Sequence, residues 1–354
     1  MLFRSILVAS AFLVGLPSVA RAQLNENSVF YEQHNLVSDG AVPADHSNDA
    51  DLKNAWGLAA SATSPWWVVD NGTNKSTIYN SAGVKQGLVV SVPGAPTGIV
   101  SYSGTGFIVT TGPARFIFSG EDGSISAWQP GLTSAVLKKP NAGASYKGLA
   151  IAGERIYATN FAIGTVDVFN NTFTKLTGTG FADPTIPGDY APFGIQNVGG
   201  TIIVTYALRG PDGDDVAGGG HGYVNAFDPD GHLLYRVASK GSLNSPWGIA
   251  MAPANWGKFS GALLIGNFGD GRIHAYVPPD MGSGEFEDHG PLHSASGPPI
   301  HIDGLWALQF GMGNANSGPR TTLFFTAGPF EEENGLFGTI VATDTPGHNK
   351  QADR

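Results

Sequence analysis

Apolar residues recur along this chain in short runs of four to six, many of them β-branched or aromatic, bounded by Gly, Pro, Asn, Asp and Ser. That pattern predicts β-strands, because no stretch sustains the 3.6-residue periodicity of an amphipathic helix. The runs are organised as a repeat. A short segment, in most cases aromatic or Pro, x, Gly, then apolar residues, occurs six times: WGLAAS, PTGIVS, YKGLAIA, PFGIQNV, PWGIAMA and DGLWALQ. The shared glycines are read as Gly57, Gly98, Gly148, Gly194, Gly248 and Gly304, spaced by 41 to 56 residues. Each is followed by a second strand-like run, WWVVDN, GFIVTT, RIYATN, TIIVTY, LLIGNF and TLFFTA. A third follows, KSTIY, GSISAW, GTVDVF, GYVNAF, GRIHAY and GTIVA.

Repeats of this length, each a small antiparallel sheet, predict an all-β fold, a six-bladed β-propeller. The last repeat shows only three strands before the polar end of the chain. The unpaired segment from Ser28 to Ser38, with strand character around Phe30 to Val37, is therefore expected to supply the fourth and close the ring. The domain spans 23–345, and the polar residues 346–354 are expected to be a disordered tail.

The segments SPWGIAMAP, LLIGNFGDGRI, YKGLAIA, APFGIQNVGG and IDGLWALQFG resemble an uncharacterised family of exported six-bladed β-propeller proteins, distantly similar to NHL-repeat propellers. The likeness runs from Tyr31 to Val341. It implies the fold, and it carries no settled biochemical activity with it.

Composition narrows the functional classes. The chain has 354 residues with 50 Gly and no Cys, which excludes disulfide staples and thiolate-ligated metal sites. A net charge of −10 argues against nucleic acid as a partner, since phosphate recognition needs a basic field. Residues 1–22 carry Arg4, an apolar run and Ala20-Arg21-Ala22, the pattern of a secretory signal peptide cleaved near Ala22. Export to the periplasm or the extracellular medium is expected, with no membrane span in the mature chain.

The topology predicts where a site would form. If the first strand of each blade runs from face A to face B, the loops joining second to third strands and the entries to the next blade all lie on face A. Asp70, Asn160, Asn267 and Asp303 sit there in four blades, an oxygen donor set suited to calcium. Gluconolactonase-like propellers use a comparable oxygen cage, by analogy of fold alone. The blade-four loop LRGPDGDDVAGGGHG offers Asp212, Asp214 and Asp215 as a second calcium candidate. Asn54, Asn71, Tyr206, Trp247 and Trp306 are candidate ligand contacts, the tryptophans as a platform for a flat ligand. His221 and His301 form a candidate acid–base pair. Glu331, Glu332 and Glu333 read as a solvated run, and the short turns of face B offer little comparable.

Three functions follow from this reading: a secreted propeller that binds a small molecule or an extracellular partner, with calcium fixing its loops; a metal-assisted hydrolase or lactonase; and a protein-interaction scaffold.

Overall fold

The computed structural model describes residues 30–279 and 284–343, so the expected leader 1–22 and tail 346–354 lie outside the described residues. Six antiparallel sheets follow one another along the chain, five of four strands and one of three. Their innermost strands are Ala55–Ala59, Pro96–Ser101, Tyr146–Ala152, Tyr190–Val198, Pro246–Met251 and Leu305–Phe310. The three-stranded sheet is blade three, built from Tyr146–Ala152, Arg155–Asn160 and Thr165–Asn170.

The ring closes as the unpaired first segment predicts. Phe30–Ser38 pairs antiparallel with Leu336–Thr343, from Phe30 opposite Thr343 to Ser38 opposite Leu336, and becomes the outer strand of blade six. Tyr31 anchors it to the neighbouring blade five. Its hydroxyl donates to the Trp256 carbonyl at 3.2 Å and accepts from the Phe259 N–H at 3.1 Å, while its ring stacks on Phe259.

Alternation along each strand sends side chains into the two gaps flanking its blade. Six apolar clusters result, each filling one gap between adjacent blades. Tyr206 belongs to the cluster between blades three and four, where it is buried. A seventh cluster lies on the ring axis and contains Trp56, Phe161, Phe193 and Trp306.

All six innermost strands carry a register shift at the equivalent place, immediately after their first paired residue in five blades and after the third, Pro192, in blade four. Such bulges re-aim a side chain. The residues at this position are Trp56, Thr97, Lys147, Phe193, Trp247 and Trp306. The next residue must be small, because it lies against the following blade. A Cβ on Gly194 would stand 2.1 Å from the Trp247 carbonyl oxygen. Hydroxyls of the second strands lock this contact: Thr159 Oγ1 accepts from the Gly148 N–H at 2.8 Å and donates to the Phe193 carbonyl at 2.7 Å.

Two details of the repeat differ from the sequence reading. In blade six the pairing of Leu305 with Ala327 and Leu308 with Phe325 puts Ala307, not Gly304, at the shared small position. Gly304 instead occupies a turn with φ of 64°. In blade two the second strand is Phe116–Gly120 rather than GFIVTT. The latter forms an irregular connection in which Phe107 and Val109 bury themselves between blades two and three, so its apolar character has a packing origin outside any strand. No helix of the described residues is long and apolar enough to cross a membrane.

Candidate functional site

On face A the bulged positions deliver their side chains to the axis. Trp56 and Trp306 stack with centroids 3.7 Å apart, and Phe268 stacks on the same Trp306 at 4.0 Å. Trp247 meets Trp306 edge-on at 5.8 Å. Trp56 and Trp306 are almost entirely buried, which makes them a plug across the channel rather than an open platform. Their polar edges are handled differently. The Trp306 indole donates to Asn54 Oδ1 at 2.8 Å and that of Trp247 to the Lys147 carbonyl at 3.0 Å, whereas Trp56 Nε1 is buried without a partner among the described residues.

Blade three breaks the aromatic pattern by placing Lys147 on this ring. Its side chain is only 5% exposed. The ammonium lies 5.4 Å from the Trp56 ring centroid and pairs with Glu121 at 2.6 Å and Asp214 at 2.8 Å. Burial opposes the charge, but the fields and hydrogen bonds of those two carboxylates outweigh it and hold the Lys147 pKa above that of an ordinary lysine. Glu121 comes from the loop after the second strand of blade two, and it also accepts from Asn71 Nδ2 at 3.0 Å. Asp214 comes from the equivalent loop of blade four.

Blade six contributes Glu332 through an unusual backbone. Phe330, Glu331 and Glu332 have φ values of 57°, 55° and 67°, three consecutive non-glycine residues in left-handed conformation. Each such residue costs about 1–2 kcal/mol. The turn is held by Asp303, whose Oδ2 accepts from the Phe330 N–H at 2.8 Å, and by the Glu332 N–H donating to the Gly328 carbonyl at 3.1 Å. It delivers Glu332 Oε2 to Asn54 Nδ2 at 2.6 Å. Burial pushes the Glu332 carboxyl up to about 7, with Asp214 and Glu121 adding to the rise and Asn54 and Lys147 opposing it. A carboxyl that holds its proton near neutrality thus stands in the same cluster as a buried ammonium.

The expected calcium donors each make local hydrogen bonds. Asn160 donates to Asp167 Oδ2 at 3.1 Å and accepts from the Ser145 N–H at 3.3 Å. Asn267 accepts from the Asn244 N–H at 3.2 Å and donates to the Ser242 carbonyl at 2.8 Å. Asp70 is fully buried in blade one and accepts from the Thr77 N–H at 3.0 Å, and desolvation raises its pKa far above the carboxylate range. With Asp303 accepting in the blade-six turn, each of the four side chains makes a local hydrogen bond, while Asp70 Oδ1 is buried without a partner among the described residues.

In the blade-four loop Asp212 Oδ1 accepts from the Asp214 N–H at 3.2 Å, and burial raises the Asp215 pKa. Lys147 already supplies the cation at Asp214. Among the described residues no three His, Asp or Glu side chains are grouped to hold a metal ion. His221 uses Nδ1 on the Val216 carbonyl at 2.8 Å, inside its own loop, and His301 is exposed.

Sequence reasoning thus placed Asn54, Asn71 and Asp214 in the cluster. It passed over Glu121, read Glu332 as solvation and gave Lys147 no role. The available signal was a cation in a ring position otherwise filled mainly by aromatics. Face B differs from expectation as well: a cavity of about 230 Å³ opens there between the strand ends of blades four, five and six.

No protein-family model matches the chain. Among solved structures, a protein of unknown function from Bacteroides thetaiotaomicron is 12% identical with a TM-score of 0.57, covering 89% of this chain and 77% of that one. Virginiamycin B lyase from Staphylococcus aureus is 13% identical with a TM-score of 0.51, covering 89% and 99%. A gluconolactonase from Xanthomonas campestris is 14% identical with a TM-score of 0.50, covering 83% and 87%. At these identities the likeness is one of fold. Closer in sequence are two proteins of Acanthamoeba polyphaga mimivirus. Uncharacterized protein L690 is 32% identical over 332 residues, covering 86% of this chain and 84% of its own length. Uncharacterized protein R648 is 33% identical over 327 residues, covering 86% and 78%. Identity sustained across nearly the whole ring shows that the chain belongs to the same family of uncharacterised six-bladed β-propellers as these two mimivirus proteins.

Proposed function

We propose that this protein is an exported binding propeller that takes a small ligand, or a segment of an extracellular partner, at the face A mouth. One observation carries the reading. Side chains from five blades, Asn54 and Asn71, Glu121, Lys147, Asp214 and Glu332, meet over an aromatic plug, and their loops accept a strained left-handed turn to do so. A packed channel needs no such cluster, and strain of this kind gathers at functional sites.

The mouth holds three carboxyl groups against one ammonium, so a ligand that brings positive charge is favoured. Such a ligand would draw the proton from Glu332 and complete the charge balance. A thermal-shift series of spermidine, choline, glucose and gluconate tests this. Spermidine or choline should stabilise the protein at low salt, with the effect lost in a Glu121→Gln, Glu332→Gln double variant. If no member of the series moves the transition, the interaction-scaffold reading takes precedence.

A hydrolase reading has one observation in its favour, the Glu332 carboxyl poised to exchange a proton near neutral pH. Its metal-assisted form draws no support from the donor set. Hydrolysis of gluconolactone by the wild type but not by Glu332→Gln would favour the enzyme.

A further inference from the structure

We infer that the face B end of the channel is a second, separate binding site, for a small uncharged molecule with a short alkyl tip and an amide-like hydrogen-bonding group. The cavity of about 230 Å³ narrows inward to a neck of about 30 Å³, and the two share Gln196, Ile249, Leu308 and Gln309 in their walls. The wider part opens at the strand ends, and the neck beneath it is smaller and more enclosed, so only a slender group reaches inward.

The chemistry of the lining is the inverse of face A. Among the described residues, no charged side chain lines either cavity. A charged ligand would lose hydration against Ile249, Leu308 and Phe310 with no countercharge to compensate. Among the lining side chains, polarity is confined to amides. That of Asn197 is fixed, donating to the Ile151 carbonyl at 2.8 Å and accepting from the Gly200 N–H at 2.9 Å. Those of Gln196 and Gln309, from blades four and six, have no hydrogen-bond partner among the described residues. Each carries donors and an acceptor. Together they offer a carbonyl and an N–H of one ligand what each requires, at the point where the cavity meets the neck. Met251 at the rim is 39% exposed, a flexible wall that adapts to the outer part of the guest.

Butyramide is a direct probe, with butyrate and butylammonium as charged counterparts of the same length. Titrated into the full chain labelled at Ile and Leu methyls, butyramide should shift the Ile249 and Leu308 resonances saturably, and the charged counterparts should not at equal concentration. Gln196→Leu with Gln309→Leu should weaken binding by about tenfold or more, the loss of two net hydrogen bonds. Gln309→Glu should reverse the preference and admit butylammonium. Glu332→Gln should bind butyramide as the wild type does, which keeps this site distinct from face A. Unmoved Ile249 and Leu308 methyls, or equal titrations with both glutamines replaced, would overturn the inference.

Discussion

The indole N–H of Trp306 donates to Asn54 Oδ1 at 2.8 Å, while Asn54 Nδ2 reaches Glu332 Oε2 at 2.6 Å. Through one amide, the aromatic plug of blade six is joined to the carboxyl that holds a proton above it. Removing the carboxyl's charge should therefore leave the plug intact and alter only its response to pH.

The sign of that response follows from the raised pKa. Glu332 titrates near 4.5 when unfolded and at about 7 in the fold, so between these values the native state binds the extra proton. Its contribution is fully present below about pH 4.5 and is lost as pH rises to about 7, on the order of 3 kcal/mol in all. Gln keeps an acceptor for Asn54 and cannot ionise. Glu332→Gln should thus gain stability relative to wild type as pH rises through this window, measured by urea unfolding at pH 5, 6, 7 and 8. Parallel curves would show that the carboxyl is ionised throughout.

Lys147 acts as a built-in cation for Glu121 and Asp214. Lys147→Met retains the stem over Trp56 and removes the charge, leaving Glu121, Asp214 and Glu332 without an internal counterion. Because these carboxylates keep some access to water, the loss should be about 1–3 kcal/mol, below that of a fully buried pair. The vacated position should then accept calcium. Millimolar calcium is expected to raise the melting temperature of Lys147→Met and leave the wild type unchanged. Calcium stabilisation of the wild type would restore a resident-metal reading.

The ring was legible because its signals are local. Strand alternation, glycine spacing and the missing fourth strand each follow from nearest-neighbour chemistry, and together they fix blade number and closure. The sixth register escaped because IDGLWALQ contains a glycine three residues before the true small position, and Ala307 satisfies the packing requirement without being Gly. Topology puts the loops that carry Asn54, Glu121, Asp214 and Glu332 on one face, but it does not say which of their side chains meet. Asn160, Asn267 and Asp70 turn into hydrogen bonds of their own blades, a choice set by rotamer and burial that a one-dimensional pattern does not encode. Glu332 looked solvated because nothing in EEEN announces a left-handed turn.

The small position itself is testable at a site free of backbone strain. A Cβ on Gly194 would stand 2.1 Å from the Trp247 carbonyl and 2.8 Å from Thr205 Oγ1, with no slack in either neighbour. Gly194→Ala should cost about 1–3 kcal/mol or more by overpacking. At the equivalent Ala307, the change to Gly should cost only about 0.5–1 kcal/mol, mostly through unfolded-state entropy. Equal losses in urea melts would mean that the six inner strands are not equivalent in packing.

Closure by the first described strand predicts a graded series centred on Tyr31. Its hydroxyl serves both the Trp256 carbonyl and the Phe259 N–H, so Tyr31→Phe leaves two buried backbone groups short of a partner and should cost about 1–3 kcal/mol. Tyr31→Ala also removes the ring stacked on Phe259 and should cost about 3–5 kcal/mol. Deleting residues 30–38 goes further, exposing the edge of Leu336–Thr343 and uncovering the clusters on both sides of blade six. Because each blade packs only on its neighbours around a ring, an opened sixth blade loses support from blades one and five together. The truncated chain should therefore unfold in one transition at much lower temperature, rather than lose a single blade. A truncation that kept the parent melting temperature would show that the ring is held shut without its outer strand.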